Sequence, residues 1–141
     1  MTLLEVMVAL TVLALAAVAV VPNLSGGRER LDLQAAVRAV SAGLRETRSR
    51  AVLAGRPESF ALDPEQRSFR VPGMRPQALP SGIAAEMLAP GTGGGQGGPA
   101  VVRFFPDGGA SGGTVRLASR NLAYDLNVDF LTGGVGVAPA R

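Results

Sequence analysis

Glu5 is the only charged residue before Arg28, and it stands at the head of an otherwise apolar run. Thr2 lies three positions ahead of it. Thr-x-x-Glu is the capping-box pattern, with Thr2 as N-cap and Glu5 at the third helical position. A carboxylate in the first turn is also favoured by the helix dipole. A second chemistry is open to the same group. A carboxylate in apolar surroundings is costly, so it tends to be paired. The free α-amino group of a neighbouring helix would serve as its partner. Local capping and an intermolecular ion pair are compatible.

Other reactive side chains are missing. The chain has no Cys and no His. This removes disulfides, thiolate chemistry and the commonest general base and metal ligand. Neither a nucleophile–base pair nor an acid cluster of metal-site type is evident, which argues against an enzyme and against any cofactor or small-molecule substrate. Asp107 and Ser111 could be imagined as calcium ligands, but Asp-Gly turn chemistry accounts for them. Residues 90–99, "PGTGGGQGGP", lack the Gly-Lys-Ser/Thr ending of a phosphate loop and read as a low-complexity surface loop.

The apolar run, Leu3 to Val21, is about long enough to cross a ~30 Å hydrocarbon core as a helix. It has no polar stripe, so a surface amphipathic helix does not fit. A cleaved secretory signal would need a basic region before it, and the only early charge is acidic. Arg28 and Arg30 follow the run, and nothing basic precedes it. By the positive-inside rule, either the downstream domain is cytoplasmic or a basic leader once preceded Met1.

Three segments follow from this: 1–22 as a transmembrane helix, 23–55 as linker and amphipathic helix, and 56–141 as a β-rich head. Pro22 can kink or break the helix, and Gly26 and Gly27 add freedom, so a hinge is expected here. Helical periodicity resumes near Arg28. Leu33, Val37, Val40, Leu44 and Ala51 form one stripe, and Glu46 and Arg50 make an i, i+4 pair. Gly55 should stop this helix. Arg38, Arg45, Arg48 and Arg50 lie largely off the stripe and read as its solvated face.

Beyond Gly55 the pattern is that of strands. "SFALD" and "RSFRV" flank "PEQ" as a hairpin with Phe60, Leu62, Phe69 and Val71 inward. Residues 72–82 read as loop, and "IAAEMLA" as an ambiguous strand. "AVVRFFPDGGASGGTVRLAS" reads strand, Gly-rich turn, strand. In "LAYDLNVDF", Leu122, Tyr124, Leu126, Val128 and Phe130 alternate with Asp125, Asn127 and Asp129, the mark of a half-buried strand. "LTGGVGV" adds a turn and a closing strand with Val135 and Val137.

The segment "TLLEVMVALTVLALAAVAVVP" resembles the mature N-terminus of type IV pilins and type II secretion pseudopilins. Thr2, Leu3, Leu4, Glu5 and Pro22 match that pattern by position, while Met1 replaces the usual Phe. The helix "LQAAVRAVSAGLRETRSRAVLAGRP" and the two Gly-rich turns of the head are similar to those of H-type minor pseudopilins, so the resemblance covers nearly the whole chain. It implies an α+β, pilin-like fold, with a long N-terminal helix packed on an antiparallel β-sheet or β-sandwich head. It also implies a basic leader removed by a prepilin peptidase, with methylation at the new first residue, here Met1. Met1 is then either a tolerated processed terminus or a start residue. Many relatives carry a basic residue after the last turn glycine, where this chain has Gly134 and Gly136.

By the same resemblance, the protein is expected to sit in a bacterial inner membrane by one span, with its head in the periplasm. Inner-membrane lipid, an assembly platform and the other pseudopilins, major and minor, would be its partners. It would join a short filament near the tip and help drive folded proteins across the outer membrane, with Glu5 setting docking register. The alternative is a minor type IV pilin engaged in pilus assembly or in binding DNA or a surface. Arg103, Arg116, Arg120 and Arg141 could meet phosphate, but acids interleave with them and stacking aromatics are absent, which argues against nucleic acid.

Overall fold

The structure is a computed structural model that describes residues 1–88 and 99–140, with side chains described except at 18–25. One helix, α1 (Leu3–Ala54), leads into eight strands. These are β1 (Glu58–Asp63), β2 (Ser68–Arg70), β3 (Gln77–Ala78), β4 (Ala84–Leu88), β5 (Ala100–Phe104), β6 (Gly113–Ala118), β7 (Ala123–Val128) and β8 (Val135–Pro139). The architecture is α+β, with a long N-terminal helix and antiparallel sheets.

α1 is continuous through Pro22, Gly26 and Gly27. The expected linker before Arg28 is therefore helical in this structure. A proline removes one backbone donor, and the bonds on either side carry the helix past it. Thr2 caps the start with extended backbone, φ −91° and ψ 154°. Gly55 ends the helix in the left-handed conformation, φ 62°, as its position after the last apolar residue led one to expect.

The strands form two four-stranded antiparallel sheets, ordered β3-β2-β1-β5 and β4-β6-β7-β8. The β1–β2 hairpin pairs Leu62 with Phe69. Phe60, Leu62, Phe69 and Val71 are all buried, as the alternation predicted. The strand–turn–strand of residues 100–118 is not a hairpin. β5 pairs with β1, and β6 pairs with β4 and β7. Between them the chain crosses from one sheet to the other through Gly112 and Gly113, whose φ values of 76° and 140° suit glycine. Residues 72–82 are mostly loop but supply β3 and the buried Leu79.

Both sheets and the second half of α1 share one core. Leu33, Val37, Val40, Leu44 and Ala51 of the helical stripe are all buried against it. Their facing residues include Phe60, Val102 and Phe104 from the first sheet and Val115, Leu117 and Leu126 from the second. Gly43 lets the first sheet approach closely. A Cβ there would lie 3.1 Å from Phe60, Phe69 and Val71. Phe60 and Phe69 stack with ring centroids 5.6 Å apart. Thr47, fully buried in the same helix, donates its hydroxyl to the Gly43 carbonyl at 2.8 Å.

The loop 90–99 lies outside the described residues except for Pro99, and Arg141 also lies outside them.

Candidate assembly surfaces

At the N-terminus, the Glu5 backbone N–H donates to the Thr2 hydroxyl at 3.3 Å and to the Thr2 carbonyl at 3.0 Å. Thr2 therefore caps α1. Among the described residues, the Glu5 carboxylate has no hydrogen-bond or ion-pair partner, so the reciprocal arm of the capping box is not made. The group is exposed and available to something outside the chain. Met1 is fully exposed.

The helix around Glu5 is bare. Leu3, Leu4, Met7, Leu10, Leu13 and Leu15 are all more than 60% exposed, on every side of α1. Thr11 does not break the apolar surface, because its hydroxyl donates to the Val8 carbonyl at 2.8 Å. Among the described residues no helix is long and apolar enough to cross a membrane, and the side chains from residue 18 to 25 lie outside that description. Gly26 and Gly27 have nothing within 4 Å of where a Cβ would stand. No close approach requires glycine at either position.

Among the described residues, two polar contacts far apart along α1 tie it to the head. Near its middle, the Glu29 carboxylate accepts the Arg120 backbone N–H at 2.7 Å, holding the β6–β7 turn. Closer to its end, Arg48 reaches two other turns of the head. Its Nε donates to the Gly108 carbonyl at 3.0 Å. A Cβ on Gly133 would lie 2.9 Å from that Nε and collide with the Gly108 carbonyl oxygen. Gly108 and Gly133 adopt φ of 89° and 64°. Arg48 is thus half-buried between two glycine turns, and the solvated-face expectation fails for it. Arg38 and Arg45 are exposed, and Arg50 pairs with Glu46 at 2.8 Å as expected.

The β7–β8 turn is locked by Asp129. Its carboxylate accepts from the backbone N–H groups of Leu131 at 2.9 Å and Thr132 at 2.8 Å, and from the Thr132 hydroxyl at 3.0 Å. These bonds hold the Asp129 carboxyl below the usual carboxylate range, those from Thr132 most of all. The turn displaces Phe130, which was expected inward. β7 ends at Val128, so the alternation stops there and Phe130 is 69% exposed. Leu122, just before β7, is also partly exposed.

The remaining candidates resolve as turn and surface chemistry. Asp107 accepts the Gly109 N–H at 2.9 Å, and the Ser111 hydroxyl accepts the Arg103 N–H at 3.1 Å. Among the described residues there is no acid or imidazole cluster of metal-binding size. Arg116 is engaged by Asp125 across β6 and β7 through two bonds of 2.7 and 2.9 Å. The pairing raises the Arg116 pKa and lowers that of Asp125.

Sequence reasoning misses Arg48 because an arginine off the apolar stripe reads as solvated. The signal that could have found it is the pair of glycine-rich turns, which bring small residues and open carbonyls to one place. All three junction residues, Arg48, Gly108 and Gly133, fall within a match to the family model described as Type II transport protein GspH, which spans residues 36–134. The chain is 31% identical over 140 residues to the type II secretion system protein H of Xanthomonas campestris pv. campestris, covering 99% of this chain and 83% of that one. Its fold is similar to that of the minor pseudopilin EpsH from the type 2 secretion system of Vibrio cholerae, with a TM-score of 0.58 at 11% identity. That likeness covers 77% of this chain and 97% of the other. On head, helix and length together, the chain belongs to the GspH family of type II transport proteins.

Proposed function

We propose that this protein is a minor pseudopilin of a type II secretion system, a structural subunit near the tip of a periplasmic filament that drives folded proteins across the outer membrane. One observation carries the mechanism. The first part of α1 is apolar on every side and, among the described residues, is covered by nothing in its own chain, while the head and the second half of α1 close a core of their own. Such a helix needs another apolar environment, either lipid or neighbouring helices. Inner membrane before assembly and filament core after it would supply the two in turn.

Glu5 gives the packed helices a register. In a dry setting a lone carboxylate is stable only opposite a positive group, so a helix docked one turn off would leave the charge unpaired. Its unengaged carboxylate supports this role. Pro22, Gly26 and Gly27 form the place where α1 can bend or unwind as the subunit moves from bilayer to filament. A prepilin peptidase and an inner-membrane assembly platform handle the subunit, the periplasm holds the head, and major and minor pseudopilins are its neighbours. The role is mechanical and needs no catalytic group.

The test is whether the full chain, expressed with its own secretion genes, fractionates with the inner membrane and co-purifies with the other pseudopilins. Loss of secretion on deletion, restored by the intact gene, is the expected companion result. Normal secretion without the gene would contradict the proposal.

A further inference from the structure

We propose that Arg48, Phe130 and Leu131 form a docking surface for a second protein head that presents a carboxylate beside apolar side chains. The surface deepens the reading above, and it rests on that reading for the neighbour being another filament subunit.

Phe130 and Leu131 are 69% and 74% exposed. Turn tips ordinarily carry Gly, Pro, Asn, Asp or Ser, so turn geometry does not call for an aromatic–aliphatic pair. The pair is also held still. Asp129 fixes the backbone at Leu131, the Ala110 N–H donates to the Phe130 carbonyl at 3.0 Å, and Gly133 rests on Arg48. A preorganised apolar pair loses little freedom when a partner covers it.

Arg48 supplies the charge. A guanidinium has five N–H donors, and here Nε is taken by the Gly108 carbonyl. Among the described residues no carboxylate pairs with Arg48, and no buried side-chain nitrogen is left without a partner. The outer edge of the fork therefore meets solvent. That edge fits a carboxylate with two parallel bonds, and the turn that rests on Arg48 through Gly133 also carries Phe130 and Leu131.

Position and charge select the occupant. Arg48 lies roughly 40 Å beyond Val21 at the rise of an α-helix, so a bilayer around the apolar run does not reach it. Asp107 and Asp129 sit in the two turns that flank the guanidinium. They oppose a dense polyanion such as nucleic acid and leave room for a single carboxylate. The occupant that fits is another subunit's head, beyond the reach of the bilayer.

The experiment places the photo-crosslinker p-benzoylphenylalanine at position 131 of the full chain, expressed with the other subunits of its own system. The expected product joins another subunit's head within a few residues of an Asp or Glu. Arg48→Gln should cut its yield about tenfold, as loss of a charge-assisted pair implies. Because Arg48 also supports the turns, Phe130→Ser with Leu131→Ser is the second arm. This double variant should keep the melting temperature of the full chain in detergent and lose co-purification with the neighbour by a similar factor. Crosslinks to lipid, to a second copy of this chain or to nothing, with assembly and secretion intact, would overturn the surface and leave the filament role standing. An unaltered chain that neither assembles nor supports secretion would end both.

Discussion

Arg48 of α1 and Gly133 of the β7–β8 turn pack closely together: a Cβ on Gly133 would stand 2.9 Å from Nε and 3.0 Å from Cδ of the arginine. One helix side chain thereby fixes two turns that belong to different strand connections. With Glu29 on Arg120, it joins α1 to the head at two separated points among the described residues.

Gly133→Ala should be among the most damaging small substitutions in the head. It combines an unfavourable φ of 64° with a clash on the Gly108 carbonyl. The expected loss is about 3 kcal/mol, read from urea unfolding of the full chain in detergent. Gly134→Ala, where φ is not left-handed and the nearest atom is the Thr132 hydroxyl at 3.1 Å, should cost much less.

Gly43→Val should also destabilise, for a different reason. Its backbone is helical, and the difficulty is space, because three buried side chains stand 3.1 Å from the Cβ position. Stacked rings cannot move aside easily, so overpacking of about 1–3 kcal/mol is expected. A shift in denaturation midpoint with little change in slope would confirm it. Unchanged stability would mean that the helix and first sheet can separate freely.

Acid should weaken the head through Asp129 and Asp125. Both carboxyls are held below their ordinary value, Asp129 by the turn and Asp125 by Arg116. The stability they contribute is complete above the unfolded carboxylate pKa of about 4. It is lost as pH falls through the lower folded values. Unfolding midpoints should therefore be flat from neutrality to about pH 5 and fall in stronger acid. Asp129→Asn should lower the neutral plateau and shrink the acid-dependent part, and an unchanged pH profile would show that the turn bonds contribute nothing.

Much of the molecule is legible in its amino-acid sequence. The stripe Leu33 to Ala51, the stop at Gly55 and the inward set Phe60, Leu62, Phe69 and Val71 follow from periodicity, because each depends only on near neighbours. Thr2 as N-cap is local in the same sense. The failures need distant partners. Arg48 becomes half-buried because turns sixty or more residues away fold over it. Phe130 continues the alternation of β7 in sequence, but the Asp129 turn bonds end the strand first. Continuity through Pro22 depends on helix either side, which a breaker residue hides. The crossing between sheets at Gly112 and Gly113 depends on which strands pair, and two equal strand patterns do not reveal that.

Glu5 carries the central claim. Glu5→Gln removes the charge and keeps the shape, and Thr2 still caps the helix through its own hydroxyl and carbonyl. The decisive measurement follows membrane insertion, co-purification with the other pseudopilins and secretion in one strain. Insertion should match the unaltered protein, while filament incorporation and secretion are lost. Full secretion and unchanged co-purification by the Glu5→Gln protein would contradict the account.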